Sequence, residues 1–125
     1  MKFEERMHRS CNCVVIRNEL LFAADFSGIL HCVDASNGQA NWTYDLLAQV
    51  WSTPALSDDF VLQGDEDGDL DAFAISHDPA IAMPGGNPLH STPAGKSIYT
   101  TPTFSKNVLY VVTNDTLYAI AKPTR

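Results

Sequence analysis

The chain has 125 residues, 45% of them hydrophobic and 10% aromatic, which excludes disorder and supplies apolar material for a packed core. Its net charge of −7 is unevenly placed. No Lys or Arg lies between Arg17 and Lys96, a span that holds twelve Asp and Glu residues, so phosphate is repelled and nucleic-acid binding by this span is disfavoured.

No apolar run reaches the roughly 18–20 residues of a membrane helix. The opening MKFEERMHRS is charged and lacks the apolar segment of a secretory signal, so the chain reads as cytosolic as written or as lacking its true N-terminus. Residues 1–9 read as a linker or as a strand belonging to an upstream element. Cys11–Arg17 (CNCVVIR) reads as a strand, Asn18-Glu19 as a turn, and Leu20–Ala24 as a strand apolar on both faces. An antiparallel sheet with one wet face alternates instead. This strand and the similar Val108–Val112 are therefore expected in sheets covered on both sides. Ile29–Asp34 follows the Phe26-Ser27-Gly28 turn. A second turn runs over Asp34–Gly38, where Asp34 and Asn37 cap backbone N–H groups and Gly38 supplies a positive φ. The strand Gln39–Asp45 then carries Trp42 and Tyr44.

The pattern restarts at Trp51. Trp51–Asp59 takes the place of Ser10–Asn18, Phe60–Asp65 that of Leu20–Asp25, and Asp67-Gly68 that of Ser27-Gly28, forty positions on; Leu70–Ile75 matches Leu30–Ala35. A third pass follows, with Tyr99–Phe104 echoing Trp51–Leu56, then Val108–Asn114 and Thr116–Ala121. Units of about 40–45 residues with three or four short strands are the signature of a β-propeller blade. The fold class is all-β: a partial propeller of four-stranded antiparallel blades, at 10–45, 51–91 and 99–121, with a polar tail, 122–125. In the second unit Ser76–Ala94 is rich in proline, so its outermost strand is expected to be irregular. Ile81–Met83 and Asn87–Ser91 are the candidates for it.

Among polar features, the densest is Asp65-Glu66-Asp67-Gly68-Asp69-Leu70-Asp71. Asp65, Asp67, Asp69 and Asp71 are oxygen ligands at alternate positions, which makes them a calcium candidate. Strand patterns flank them where a helix–loop–helix calcium site needs helices. The competing reading is an Asp67-Gly68 hairpin whose flanking carboxylates point to water. Cys11, Cys13 and Cys32 lack the second ligand pair of a metal site and read as small apolar residues in sheets. His8, His31, His77 and His90 have no metal-ligand spacing and read as surface or strand-edge residues. His31, Asp34 and nearby serines formally allow a hydrolase, but no nucleophile elbow accompanies them. Gly85-Gly86 lacks the following helix of a phosphate loop.

Leu30, Cys32, Asp34, Gly38 and Trp42, followed by Trp51-Ser52-Thr53-Pro54, resemble the pyrroloquinoline-quinone repeat of quinoprotein-like propellers. The likeness covers roughly residues 10–121. It departs from the repeat at Cys32, Asn37 and Gln39, where Ala, Thr and Lys are usual, and units two and three lack the tryptophan. The resemblance implies that Gly38, Trp42, Trp51 and Pro54 are structural, docking one blade on the next, with Trp42 in the interior between blades. It also implies a C-terminal part of a longer chain, working as a non-catalytic interaction scaffold of the bacterial cell envelope or periplasm. Its partners are then further blades or a second copy, and a protein not specified by the sequence. The family also contains quinone-dependent dehydrogenases. These use pyrroloquinoline quinone, calcium and often a vicinal cysteine pair, which this chain lacks, so no cofactor is expected and a dehydrogenase fragment is the alternative.

Overall fold

The computed structural model describes residue 10 and residues 12–121. Residues 1–9, Cys11 and the tail 122–125 lie outside the described residues, and with them the linker or upstream strand and half of the Cys11–Cys13 pair.

Strands β1 (Val15–Arg17), β2 (Leu20–Ala24), β3 (Ile29–Asp34) and β4 (Ala40–Asp45) form one antiparallel sheet in sequence order. Strands β5 (Ala55–Leu56), β6 (Phe60–Gly64), β7 (Asp69–Ala74) and β8 (His90–Pro93) form a second in the same order. Strands β9 (Thr103–Ser105), β10 (Val108–Val112) and β11 (Leu117–Ala121) form the third. Sequential up-and-down sheets of this kind, stacked face to face, are propeller blades.

Turn chemistry sets the registers. Asn18 and Glu19 both take positive φ (53° and 62°), as do Lys106 and Asn107 (49° and 67°), the twist that suits two-residue hairpins. The β2–β3 and β6–β7 turns end on Gly28 (φ 99°) and Gly68 (φ 92°). A Cβ on Gly28 meets the Ala48 carbonyl oxygen at 2.1 Å, and one on Gly68 meets that of Lys96 at 2.7 Å. Only glycine meets both demands.

The core falls into two layers. Phe22, Leu30, Cys32, Trp42, Val50, Val61 and Phe73 join the first sheet to the second. Leu62, Leu70, Ala72, Ile98, Leu109 and Val111 join the second to the third.

Two expectations are corrected. Ile81–Met83 is not a strand. Pro79–Ala82 forms a short helix, α1, with Asp78 accepting from Ala80 N and proline in its first turn, because a capping carboxylate and a preset φ favour a helical start. The outer strand β8 instead ends on Pro93, at a sheet edge where a missing N–H costs little. Val108–Val112 is covered on one side only. Tyr110 and Val112 are 38% and 40% exposed, since no described sheet lies against that face.

Candidate functional site

The two inter-sheet layers are built at equivalent positions and close differently. In the first, the Trp42 indole is 5% exposed. It lies between Phe22 (centroids 6.1 Å apart) and Phe73 of the second sheet (5.7 Å). Its Nε1 donates to the Ser76 carbonyl at 2.8 Å, so the one polar atom of the ring is satisfied. Tyr44 adds a second ring against Phe73 at 5.1 Å. Cys32 sits beneath, fully buried, its thiol pushed up to about 11 by burial.

In the second layer every aromatic is replaced by something smaller. Forty positions on, Phe22 becomes Leu62 and Cys32 becomes Ala72. Trp42 pairs with Cys32, and His90 pairs with Ala72. Tyr44 pairs with Leu30, and Thr92 with Leu70. Phe73 faces Val61 as Ile120 faces Leu109. The result is a cleft of about 690 Å³, lined by Phe60, Leu62, Leu70, Ala72, His90 and Ile120 together with Arg17, Asp58 and Asp59. His90 is exposed and rests edge-on against Phe60 at 5.8 Å, covering part of the space that an indole fills one layer earlier. At the glycine-turn end the same layer is tight. Gly64 admits the fully buried Ile98, whose Cγ2 lies 2.6 Å from where a Cβ would stand.

Two threonines to which the sequence pattern assigned no role stitch the sheets together. Cys13 N donates to Thr53 Oγ1 and Thr53 N to Thr101 Oγ1, both at 2.9 Å. The signal was the Thr-Pro pair recurring at Thr53-Pro54 and Thr101-Pro102. Pro54 is fully buried behind it. Trp51 is not sealed in: it is 39% exposed and bridges Phe26 at 4.8 Å and Tyr99 at 6.0 Å, edge to face with both. Gly38 takes φ 75° and closes the turn by donating its N–H to the Asp34 carbonyl at 2.7 Å.

The acidic run is split by burial. Asp67 is exposed and Asp69 half-buried, but Asp65 and Asp71 are 1% and 6% exposed. The expectation that the carboxylates flanking the hairpin point to water fails for these two. Alternation turns them toward the neighbouring sheet. Burial pushes the Asp65 carboxyl up to about 6 and raises that of Asp71, against a lowering Ser91 hydrogen bond. Among the described residues no group of three or more His, Cys, Asp or Glu side chains is placed to hold a metal ion. His31 is a further correction: it is 1% exposed, inside β3, with Nε2 2.9 Å from Asp25 Oδ2. It is not joined to Asp34, which instead accepts from Ser36 N and Oγ. His77 and His90 are exposed, and His8 lies outside the described residues.

Stacked four-stranded sheets with a tryptophan keyed into the next sheet define a quinoprotein-type propeller repeat. Residues 4–78 match the PQQ_2 family, described as outer membrane protein assembly factor BamB, and the chain belongs to this family. No curated protein sequence matches it at a significant level. Among solved structures, BamB from Moraxella catarrhalis aligns with TM-score 0.70 and 23% identity, over 89% of this chain and 33% of that one. The computationally designed Ika8 protein aligns with TM-score 0.65 and 20% identity, over 86% and 32%. Quinohemoprotein alcohol dehydrogenase from Comamonas testosteroni aligns with TM-score 0.65 and 18% identity, over 84% and 17%. These likenesses show the fold alone, and the chain spans about a third of the BamB structure it matches. Among the described residues no helix is long and apolar enough to cross a membrane.

Proposed function

We propose that the chain is a non-catalytic propeller scaffold that binds protein in the bacterial cell envelope, in the manner its family description implies for outer-membrane protein assembly. The observation that carries this reading is the apolar surface around the third sheet. Tyr118 and Ile120, on one face of β11, are 40% and 43% exposed, with Ile120 lining the open cleft, and Leu117, on the other face, is 64% exposed. Large apolar side chains left exposed on an edge strand mark an interaction surface. Further blades of a longer chain, or a second copy, cover part of it; Gly38, Trp42 and Pro54 hold the sheets that present it. The reading assigns no pyrroloquinoline quinone and no redox step.

The test places a photo-crosslinking residue at Tyr118 or Leu117 of the full-length protein in its own cell envelope. Adducts with a component of the outer-membrane assembly machinery support the reading. Absence of any protein adduct, or quinone-dependent alcohol oxidation by the purified protein, overturns it.

A further inference from the structure

On its face toward the first sheet, the second sheet carries three buried side-chain oxygens that have no hydrogen-bond partner. Gln63 stands opposite Asp71 in the β6–β7 register, and Asp65, two residues beyond Gln63, shares its face by alternation. The three are 0%, 6% and 1% exposed respectively. The equivalent positions of the first sheet, forty residues earlier, are Ala23, His31 and Asp25. There Asp25 Oδ1 accepts from Ile29 N at 3.1 Å while Oδ2 meets His31 Nε2 at 2.9 Å. Asp65 Oδ1 likewise accepts from Asp69 N at 3.1 Å, which leaves Oδ2 as the oxygen that in the first sheet meets position 31, the counterpart of position 71. An aspartate stands at that position. It is shorter than histidine, and it offers an acceptor where the first sheet has a ring nitrogen.

Asp65 Oδ2, Asp71 Oδ1 and Gln63 Oε1 are each buried without a hydrogen-bond partner. The Gln63 amide cannot turn to help. Its Nε2 donates to the carbonyls of Ser52 at 3.1 Å and Gly64 at 2.9 Å, which can only accept, so Oε1 faces away from them. Buried acceptors, two of them charged, require compensating positive charge. None comes from nearby sequence, since no Lys or Arg lies between Arg17 and Lys96.

We propose that Gln63, Asp65 and Asp71 bind a hard divalent cation of the calcium class between the first and second sheets. Two carboxylates match the charge of such an ion, and an all-oxygen set with irregular spacing suits calcium better than magnesium, which demands near-ideal octahedral geometry. A single proton shared by the two carboxylates supplies one donor and leaves Gln63 Oε1 unmet. The exposed Asp67 takes no part.

The experiment measures thermal unfolding and titration calorimetry of the full chain, stripped with chelator and then given calcium chloride at pH 7.5. Expected are a raised Tm and a one-to-one Kd at or below about 10⁻³ M, the weak end of protein calcium sites. Asp71→His, which restores the pairing of the first sheet, abolishes the calcium response while the chain still melts cooperatively. Asp71→Asn, closer in shape, does the same should Asp71→His fail to fold. Asp67→Asn keeps the response. No calcium response in the wild-type chain, a response that survives Asp71→Asn, or one lost equally in Asp67→Asn overturns the proposal.

Discussion

The layer between the first and second sheets and the layer between the second and third are built on one plan and differ in how they end. The first closes on Trp42, Tyr44, Phe22 and Phe73; the second carries His90, Thr92, Leu62 and Ile120 at those places and stays open as a cleft of about 690 Å³. The backbone pattern tolerates both, because the glycine turns and the threonine stitches repeat regardless of what fills the layer. A propeller can therefore keep its frame while one inter-blade seam becomes a surface.

The largest effect expected from breaking this comparison is at Trp42. Trp42→Ala removes a buried ring and its hydrogen bond to Ser76, and should cost about 3–5 kcal/mol in denaturant unfolding. His90→Ala, at the equivalent but exposed position, should cost less than about 0.5 kcal/mol. Equal losses would erase the distinction. Next comes the shared frame. Gly28→Ala places a Cβ against the Ala48 oxygen at a positive φ, and a loss of about 2–3 kcal/mol is expected in the same assay. Sharpening the comparison from the other side, His90→Trp should fill part of the cleft, raise stability by about 0.5–2 kcal/mol, and weaken any crosslinking through Tyr118.

The smallest effects are chemical. Cys32 is buried with its thiol pushed up to about 11, whereas Cys13 is exposed. Site-resolved alkylation at pH 8 should label Cys13 at once and Cys32 only at the rate of global unfolding. In the metal-free chain, Asp65 holds its proton more tightly folded than unfolded, with its carboxyl at about 6 against an ordinary 3.8. The native state then binds the extra proton between those values, so stability should fall as pH rises through that window. Asp65→Asn should flatten the slope; an unchanged slope would remove Asp65 as its cause.

The strands and the glycine turns were legible because each leaves a local mark: apolar runs cut by Asn-Glu, Ser-Gly or Asp-Gly. The contrast between layers was partly legible as well, in the absence of tryptophan from the second and third units. What replaces it was not, since the His90–Ala72 pairing depends on a register set across the helix-containing stretch 76–89. The burial of Asp65 and Asp71 was missed for a different reason. Charge within a hairpin suggests water, and only the stacking of a neighbouring sheet turns those two carboxylates inward. His31 was misread as a surface or strand-edge residue because its partner, Asp25, lies across a turn. The helix at Pro79–Ala82 is too short to show a period and rests on one capping aspartate.

The unequal sealing of the two layers is tested most directly by native-state hydrogen exchange resolved by strand. Amides of β3, β4 and β7, which flank the Trp42 layer, should exchange only through global unfolding. Those of β10 and β11 should exchange through a smaller opening, with a lower free energy and a weaker denaturant dependence. Equal protection in all three sheets, with one common denaturant slope, would contradict the account.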